Sequence, residues 1–125
     1  MILATGVDLV EIERFRLAME RHGKRLLERI FTPQELVETK GLAASLAVRF
    51  AGKEAAAKAL KTGIGPVRWR EIEILRGPNR EPELHLHGSA KTLARQMGLY
   101  NWSISLSHTD AHAIAVVVAL GDKSL

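Results

Sequence analysis

Four charged side chains occur within residues 49–58, whose sequence is RFAGKEAAAK. In an α-helix, Glu54 and Lys58 would stack on one face because they are four residues apart, and Arg49 and Lys53 would form a second stack beside them. A carboxylate and an ammonium group so placed can hold a metal ion together with the phosphate that the ion neutralises. The alternative is an ordinary exposed Glu–Lys pair, worth about 0.3–0.5 kcal/mol, and this segment alone leaves both interpretations open.

The residues between these charges are alanines and Gly52, apart from Phe50. Since such side chains have little bulk, another backbone or a ligand could lie directly on the helix. A glycine inside a helix costs about 1 kcal/mol relative to alanine. We therefore expect a close approach at Gly52 that offsets this cost, and we interpret the glycine as a sign of function.

A second acidic candidate is Asp8, which interrupts the apolar residues 2–10, ILATGVDLV. This segment predicts a strand, and a carboxylate near a strand end is either solvated or used in a site. Two hard oxygen ligands such as Asp8 and Glu54 suit Mg²⁺, which takes few protein carboxylates and keeps waters or substrate phosphates. The sequence does not show whether the two carboxylates meet.

Further along the chain, His108 follows a predicted strand and is flanked by hydroxyl side chains at Ser107 and Thr109. A histidine in this position could bond a phosphate oxygen or shuttle a proton. It could equally be a turn residue that is satisfied by the backbone.

Arginines at positions 14, 21 and 25 are spaced so that all three would fall near one face of the first helix. Arg14, Arg21 and Arg25 then form either a solvated face or a docking surface for an acidic protein helix.

The composition restricts the classes of function. The chain has 125 residues, which predicts a single domain over residues 1–125, and it has no cysteine, which excludes disulfides and thiolate chemistry. A formal charge of +4 favours an acidic partner or a phosphorylated ligand. We expect no nucleic-acid partner, because aromatic residues do not cluster among the basic ones, and no membrane association. A soluble cytoplasmic protein is the expectation.

The periodicity of apolar residues predicts the elements that must position these side chains. We expect helices from Glu11 onward with a break at Gly23, a helix capped by Thr32, and a long helix over residues 42–61. The second half predicts strands at 69–75 and 83–87, a helix capped by Ser89, and a closing hairpin of strands 100–107 and 112–120. This order predicts an α+β fold, in which a largely antiparallel sheet packs against a long alanine-rich helix and shorter helices.

These motifs together resemble the small bacterial 4′-phosphopantetheinyl transferases, the holo-[acyl-carrier-protein] synthases. The resemblance covers essentially the whole chain, and the ordered set is more specific than any one motif. The matching segments are residues 6–14 (GVDLVEIER), 31–36 (FTPQEL), 49–60 (RFAGKEAAAKAL), 62–65 (TGIG) and 105–109 (SLSHT).

The resemblance implies Mg²⁺-dependent transfer of phosphopantetheine from coenzyme A to a serine of apo acyl carrier protein, with release of adenosine 3′,5′-bisphosphate, for fatty acid biosynthesis. Residue by residue, the resemblance implies that Asp8 and Glu54 are metal ligands and that Lys58 contacts the reacting diphosphate. It also implies that Arg49 and His108 hold phosphate groups of coenzyme A. Arg14 and the basic face behind it match the carrier-protein docking helix. The family is known as a homotrimer with active sites between subunits.

The chain departs from the family pattern in two places. Gly52 stands where the family usually has alanine, and residues 80–82 (REP) replace the more usual GKP. Lys53 receives no role from the resemblance. A rival interpretation is a non-catalytic module that binds coenzyme A or a polyphosphate through Arg49, Lys53 and Lys58, and a basic nucleic-acid binder is a more distant one.

Overall fold

Strands and helices follow one another in the order that the sequence predicts. The computed structural model describes residues 1–122. The elements are, in chain order, β1 (Ile2–Glu11), α1 (Ile12–Ile30), α2 (Pro33–Thr39), α3 (Ala43–Ala59), β2 (Ile72–Arg76), β3 (Pro82–Leu86), α4 (Gly88–Gln96), β4 (Leu99–His108) and β5 (His112–Gly121). The predicted α+β class is confirmed. Among residues 1–122, no helix combines the length and apolar character needed to cross a bilayer.

The five strands form two antiparallel sheets rather than one. The larger sheet has the order β1-β5-β4, and β2 pairs with β3 in a separate hairpin. β5 is central, as its apolar sequence predicts. Its inward residues Ala113, Ala115, Val117 and Ala119 are fully buried.

The alanine-rich helix α3 packs across the inner face of the larger sheet. Ala51, Ala55 and Ala59 are buried in one cluster with Ala115, Val117 and Ala119 of β5. The approach is closest at Gly6 of β1, where an added Cβ would lie 1.8 Å from the carbonyl oxygen of Ala55. The lack of a side chain at Gly6 thus allows the strand backbone to rest on the helix, as the small residues of α3 predict.

Gly52 also has a close neighbour, but this neighbour is a core side chain. A Cβ at Gly52 would lie 2.4 Å from Cδ1 of Ile74 on β2. The expected close approach therefore exists, and its partners are the apolar side chains of Ile74, Ile104 and Leu106. The interpretation of Gly52 as a sign of function is wrong.

The two glycines predict different responses to alanine. We expect Gly6→Ala to lower the free energy of unfolding by about 2–3 kcal/mol, since the clash is with backbone that cannot move independently. We expect a smaller loss for Gly52→Ala, because a side-chain end can shift and alanine adds about 1 kcal/mol of helix propensity. Urea unfolding measures the loss of free energy of unfolding in each variant. Equal losses in the two variants would contradict the packing described at Gly6.

The helix starts and breaks that the sequence predicts are found in part. The α1 kink lies at Gly23, which has φ 61° and ψ −147°. The predicted cap by Thr32 is confirmed, and it is a capping box, because the Thr32 side chain accepts from Glu35 N and the Glu35 carboxylate accepts from Thr32 N. Ser89, in contrast, does not cap α4. Its hydroxyl donates to Glu71, and the residue before the helix is His87.

The predicted strand at 69–75 begins three residues late. Residues Trp69–Glu71 form a single 3₁₀ turn, and β2 starts at Ile72. The carbonyl of Trp69 accepts a hydrogen bond from Lys53 Nζ, and Arg68 N donates to the Glu71 carboxylate. These contacts satisfy the hydrogen-bonding groups of the backbone around this turn. The backbone therefore does not pair with a neighbouring strand there.

Candidate active site

Asp8 reaches the helix face because side chains alternate along β1. Ala4, Gly6 and Asp8 share the face that points toward α3, since residues two apart in a strand lie on one side. The Asp8 carboxylate accepts a hydrogen bond from Lys58 Nζ at 3.1 Å, and the same ammonium group donates to the Val7 carbonyl at 2.9 Å. This ion pair joins β1 to α3. It lies two residues along β1 from Gly6, where the strand and the helix are closest.

Glu54 lies one turn before Lys58 on the same face of α3. Burial and then the Asp8 carboxylate raise the pKa of Glu54, while Lys58 opposes them. The structure therefore brings Asp8, Glu54 and Lys58 together, which the sequence alone does not show.

The two carboxylates fit a magnesium ion. They are hard oxygen donors, Asp8 lies near enough to disfavour the ionisation of Glu54, and both side chains are partly shielded from water. Within residues 1–122, no three His, Asp or Glu side chains form a cluster able to hold a metal. Two protein ligands suit Mg²⁺, because substrate phosphates usually complete its coordination.

Asp8 and Glu54 line a cavity of about 510 Å³, which we call the acidic cavity. Arg14 and Phe15 at the start of α1 and Phe50 of α3 also line it. Phe15 and Phe50 are in contact, with ring centroids 5.2 Å apart. Arg14 is thus the one docking candidate that borders the carboxylates.

Arg49 and His108 line a different cavity, of about 270 Å³, on another side of α3. Arg49 is nearly buried, and its Nη1 donates to the Ile74 carbonyl at 2.8 Å and pairs with Glu38 at 2.9 Å. Arg76 and Arg80 line the same space, which we call the basic cavity. The residues that line it are all different from those of the acidic cavity.

Lys53 is fully buried and has a structural set of partners. Its Nζ pairs with Glu35 at 2.7 Å and donates to the carbonyls of Trp69 and Ile72 at 3.1 and 2.5 Å. It also lies 5.5 Å from the centre of the Phe31 ring. Burial lowers the pKa of Lys53, and the Glu35 carboxylate opposes this shift. Lys53 therefore joins α3 to α2 and β2.

The predicted docking arginines line two different hollows. Arg14 borders the acidic cavity, whereas Arg21 and Arg25 line a separate hollow. The Gly23 kink lies between Arg21 and Arg25 and turns the axis of α1. All three side chains are exposed.

Sequence reasoning missed Glu35, Arg76 and Arg80 as parts of these arrangements. The bonds of Glu35 to Lys53 and to Ile74 N carry no signal in the sequence. Arg80 lies in the turn before β3 and has φ 66°, a conformation in which glycine is more usual. The sequence signal for Arg80 was the presence of arginine where the family usually has glycine.

Comparison with known proteins identifies the class of enzyme to which this arrangement belongs. The 4′-phosphopantetheinyl transferase superfamily matches the chain over residues 4–117. The chain belongs to this superfamily.

Relatives within the superfamily are the holo-[acyl-carrier-protein] synthases. That of Herpetosiphon aurantiacus is 45% identical, covering 96% of this chain and 100% of the relative. That of Dehalococcoides mccartyi is 47% identical, covering 94% and 98%. These similarities make the protein an enzyme of the holo-[acyl-carrier-protein] synthase type, as its motifs predict.

Solved structures of the superfamily share the fold described above. The Helicobacter pylori holo-[acyl-carrier-protein] synthase in complex with coenzyme A has a TM-score of 0.85 and 36% identity, with 93% of this chain and 99% of that chain covered. The Neisseria meningitidis enzyme has a TM-score of 0.86 and 34% identity, with 94% and 97% covered. The phosphopantetheinyl transferase fold is therefore that of this chain.

Proposed function

We propose that the protein transfers 4′-phosphopantetheine from coenzyme A to a serine of apo acyl carrier protein, depends on Mg²⁺ and releases adenosine 3′,5′-bisphosphate. The expected pathway is fatty acid biosynthesis, and the expected location is the cytoplasm. The observation that carries the proposal is the contact of Asp8 with Lys58 beside Glu54 at one open cavity. The Helicobacter pylori relative bound to coenzyme A supports the choice of donor.

Asp8 and Glu54 would hold the magnesium ion, which when bound neutralises charge on the diphosphate of coenzyme A. Lys58 is half-exposed, with 53% of its side chain accessible, so its ammonium group can turn from Asp8 toward a bound phosphate. There it stabilises the charge that develops as the serine oxygen attacks the phosphorus next to pantetheine. Asp8, a carboxylate at the cavity wall, is able to accept the proton that the serine loses.

The nucleotide end of coenzyme A is assigned to the basic cavity. Arg49 uses only Nη1 for Glu38 and the Ile74 carbonyl, and a guanidinium group has further N–H donors. His108 is exposed at the same cavity, where its ring can bond a phosphate oxygen.

The outer face of the larger sheet supports a homotrimer. On this face β1 and β5 carry six exposed apolar side chains, whereas the outer face of an antiparallel sheet is usually polar. They are Leu3, Val7 and Leu9 of β1 and Ile114, Val116 and Val118 of β5. In such an assembly the acidic cavity of one subunit would face the basic cavity of the next, so that one coenzyme A contacts both.

A charge at the centre of this outer face is expected to separate the subunits. Val116→Glu should give a species of 13.8 kDa by light scattering, where the unchanged chain gives three times that mass. Ser105→Glu, at the residue that pairs with Val116 across the same face, should separate the subunits as well. A monomeric unchanged chain would contradict the trimer.

Arg14 is proposed as a docking residue for the acidic carrier protein. We expect Arg14→Ala to raise the KM for the carrier protein roughly fivefold, the effect of about 1 kcal/mol, and to weaken its salt dependence. The KM for coenzyme A should not change. Steady-state kinetics over a range of salt concentrations measures both constants, and an effect confined to coenzyme A would contradict docking.

The rival non-catalytic module is less well supported, because Lys53 is fully buried and cannot contact a ligand. A transferase releases adenosine 3′,5′-bisphosphate only when carrier protein is present, whereas a binding module releases none. Chromatography of the nucleotides after incubation with coenzyme A and Mg²⁺, with and without apo carrier protein, distinguishes the two. Release of nucleotide that is independent of the carrier would contradict the transfer.

A further inference from the structure

The basic cavity holds more positive charge than its ion pairs neutralise. Its charged lining residues are Arg49, Arg76, Arg80 and His108, and none of the described residues that line it is acidic. Glu38 pairs with Arg49 at 2.9 Å and accepts from the backbone N–H of Arg76 at 3.0 Å. Within residues 1–122, the side chains of Arg76 and Arg80 take part in no salt bridge. Three guanidinium groups against one carboxylate leave two positive charges for a ligand.

The turn before β3 places Arg80 and Glu81 in the walls of different cavities. Gly77 N donates to the Glu81 carbonyl at 2.7 Å, and the Gly77 carbonyl accepts from Arg80 N at 3.0 Å. The Glu81 carboxylate accepts from Asn79 N at 2.8 Å and lines a separate hollow with Trp102. Arg80 lines the basic cavity, so the turn brings the cation to this cavity and keeps the neighbouring acid out of it.

The backbone of Arg80 is in a conformation that suits glycine better. Its φ of 66° lies in the left-handed region, which is unfavourable for a residue with a Cβ atom. Glycine is also the usual residue here in the family that the sequence resembles. Backbone strain of this kind is often found at ligand sites, where the surrounding structure offsets it. The strain and the position of Arg80 at the cavity together indicate a role for its side chain.

The charge of the basic cavity fits a phosphate monoester better than the reacting diphosphate. The diphosphate needs a metal ion, and the carboxylates suited to one lie in the acidic cavity, whose lining residues are all different. A phosphate monoester carries about 1.5–2 negative charges at pH 7, and planar guanidinium groups can bind its oxygens with paired hydrogen bonds. Coenzyme A contains one such group, the 3′-phosphate of its adenosine.

We propose that Arg80, together with Arg76, binds the 3′-phosphate of coenzyme A and makes the chain select coenzyme A over donors that lack this phosphate. This inference rests on the proposed function and deepens it, because it takes coenzyme A as the ligand of the basic cavity. Both arginines are exposed, so a phosphate can reach them from solvent. Arg49, in contrast, is nearly buried and already paired with Glu38.

The test measures the dissociation constants of coenzyme A and dephospho-coenzyme A by calorimetry, at fixed ionic strength and without carrier protein. The two ligands differ only in the 3′-phosphate. We expect Arg80→Gly to weaken the binding of coenzyme A about tenfold and to leave the binding of dephospho-coenzyme A unchanged. Arg80→Lys should lose less, because it keeps the charge without the planar fork of donors. Arg95→Ala removes an exposed cation of α4 and, as the control, should change neither constant.

Arg80→Gly should also keep the stability of the unchanged chain in urea, since glycine adopts this φ without strain. Equal weakening for the two ligands would overturn the inference, and so would unchanged binding of coenzyme A in Arg80→Gly or a wild-type chain that binds both ligands equally. Failure of the proposed function gives a different result. If Arg80 selects coenzyme A but no carrier protein is modified, the transfer is contradicted and the phosphate site stands.

Discussion

Glu54→Gln is expected to reduce kcat by at least about 10³-fold at saturating Mg²⁺ while the protein remains folded. The amide removes one of two carboxylates that would hold the metal, and metal stabilisation of transition-state charge is worth several kcal/mol. Stability should stay the same or rise slightly. Burial and Asp8 raise the pKa of Glu54, so its ionised form is disfavoured in the folded state, and a neutral side chain relieves this.

Asp8→Asn should have an effect of similar size, because Asp8 is the second carboxylate and the partner of Lys58. Glu83→Gln, a half-exposed carboxylate on β3 outside both cavities, is the matched control and should keep full activity. Rates of carrier-protein modification together with urea unfolding of each variant separate catalysis from folding. Near-wild-type turnover of either active-site variant would show that the metal assignment is wrong.

Lys53→Met is expected to lower the free energy of unfolding by about 3–5 kcal/mol. The change leaves the fully buried Glu35 carboxylate without its cation, and an unpaired buried charge is costly. It also removes the donor to the carbonyls of Trp69 and Ile72. Such a loss is a large part of the roughly 5–15 kcal/mol that stabilises a small domain.

Urea unfolding measures the loss, and a second substitution identifies its cause. Adding Glu35→Gln to Lys53→Met removes the unpaired charge and should recover part of the stability. The control is Lys24→Met, which breaks an exposed pair with Glu28 and should cost no more than about 0.5 kcal/mol. Equal losses for Lys53→Met and Lys24→Met would contradict the structural role of Lys53.

The spacing within residues 49–58 predicted two stacks of charge on α3, but not what each stack contacts. Glu54 and Lys58 meet Asp8, while Arg49 and Lys53 pair with acids of α2. Both stacks have the same four-residue interval, so local pattern cannot distinguish a reactive pair from a buried one. The difference comes from partners brought in by tertiary packing, such as Glu35, which lies 18 residues from Lys53.

Asp8 could be recognised as a candidate because a charge inside an apolar strand is unusual. Its meeting with Glu54 and Lys58 depends on strand alternation and on the bare backbone of Gly6 against Ala55. The first of these is visible in the sequence, and the second requires knowing which helix lies on which strand. In the same way, the sequence predicted a break at Gly23, but not the backbone angles of φ 61° and ψ −147° that form the kink.

The intact mass of an apo carrier protein after incubation with this chain, coenzyme A and Mg²⁺ tests the central claim most directly. The account predicts that the carrier protein gains the mass of one phosphopantetheine group, located on a single serine by fragmentation. A carrier protein in which that serine is alanine should gain nothing. An unchanged mass with several intact apo carrier proteins, under conditions where the chain is folded and binds coenzyme A, would contradict the account.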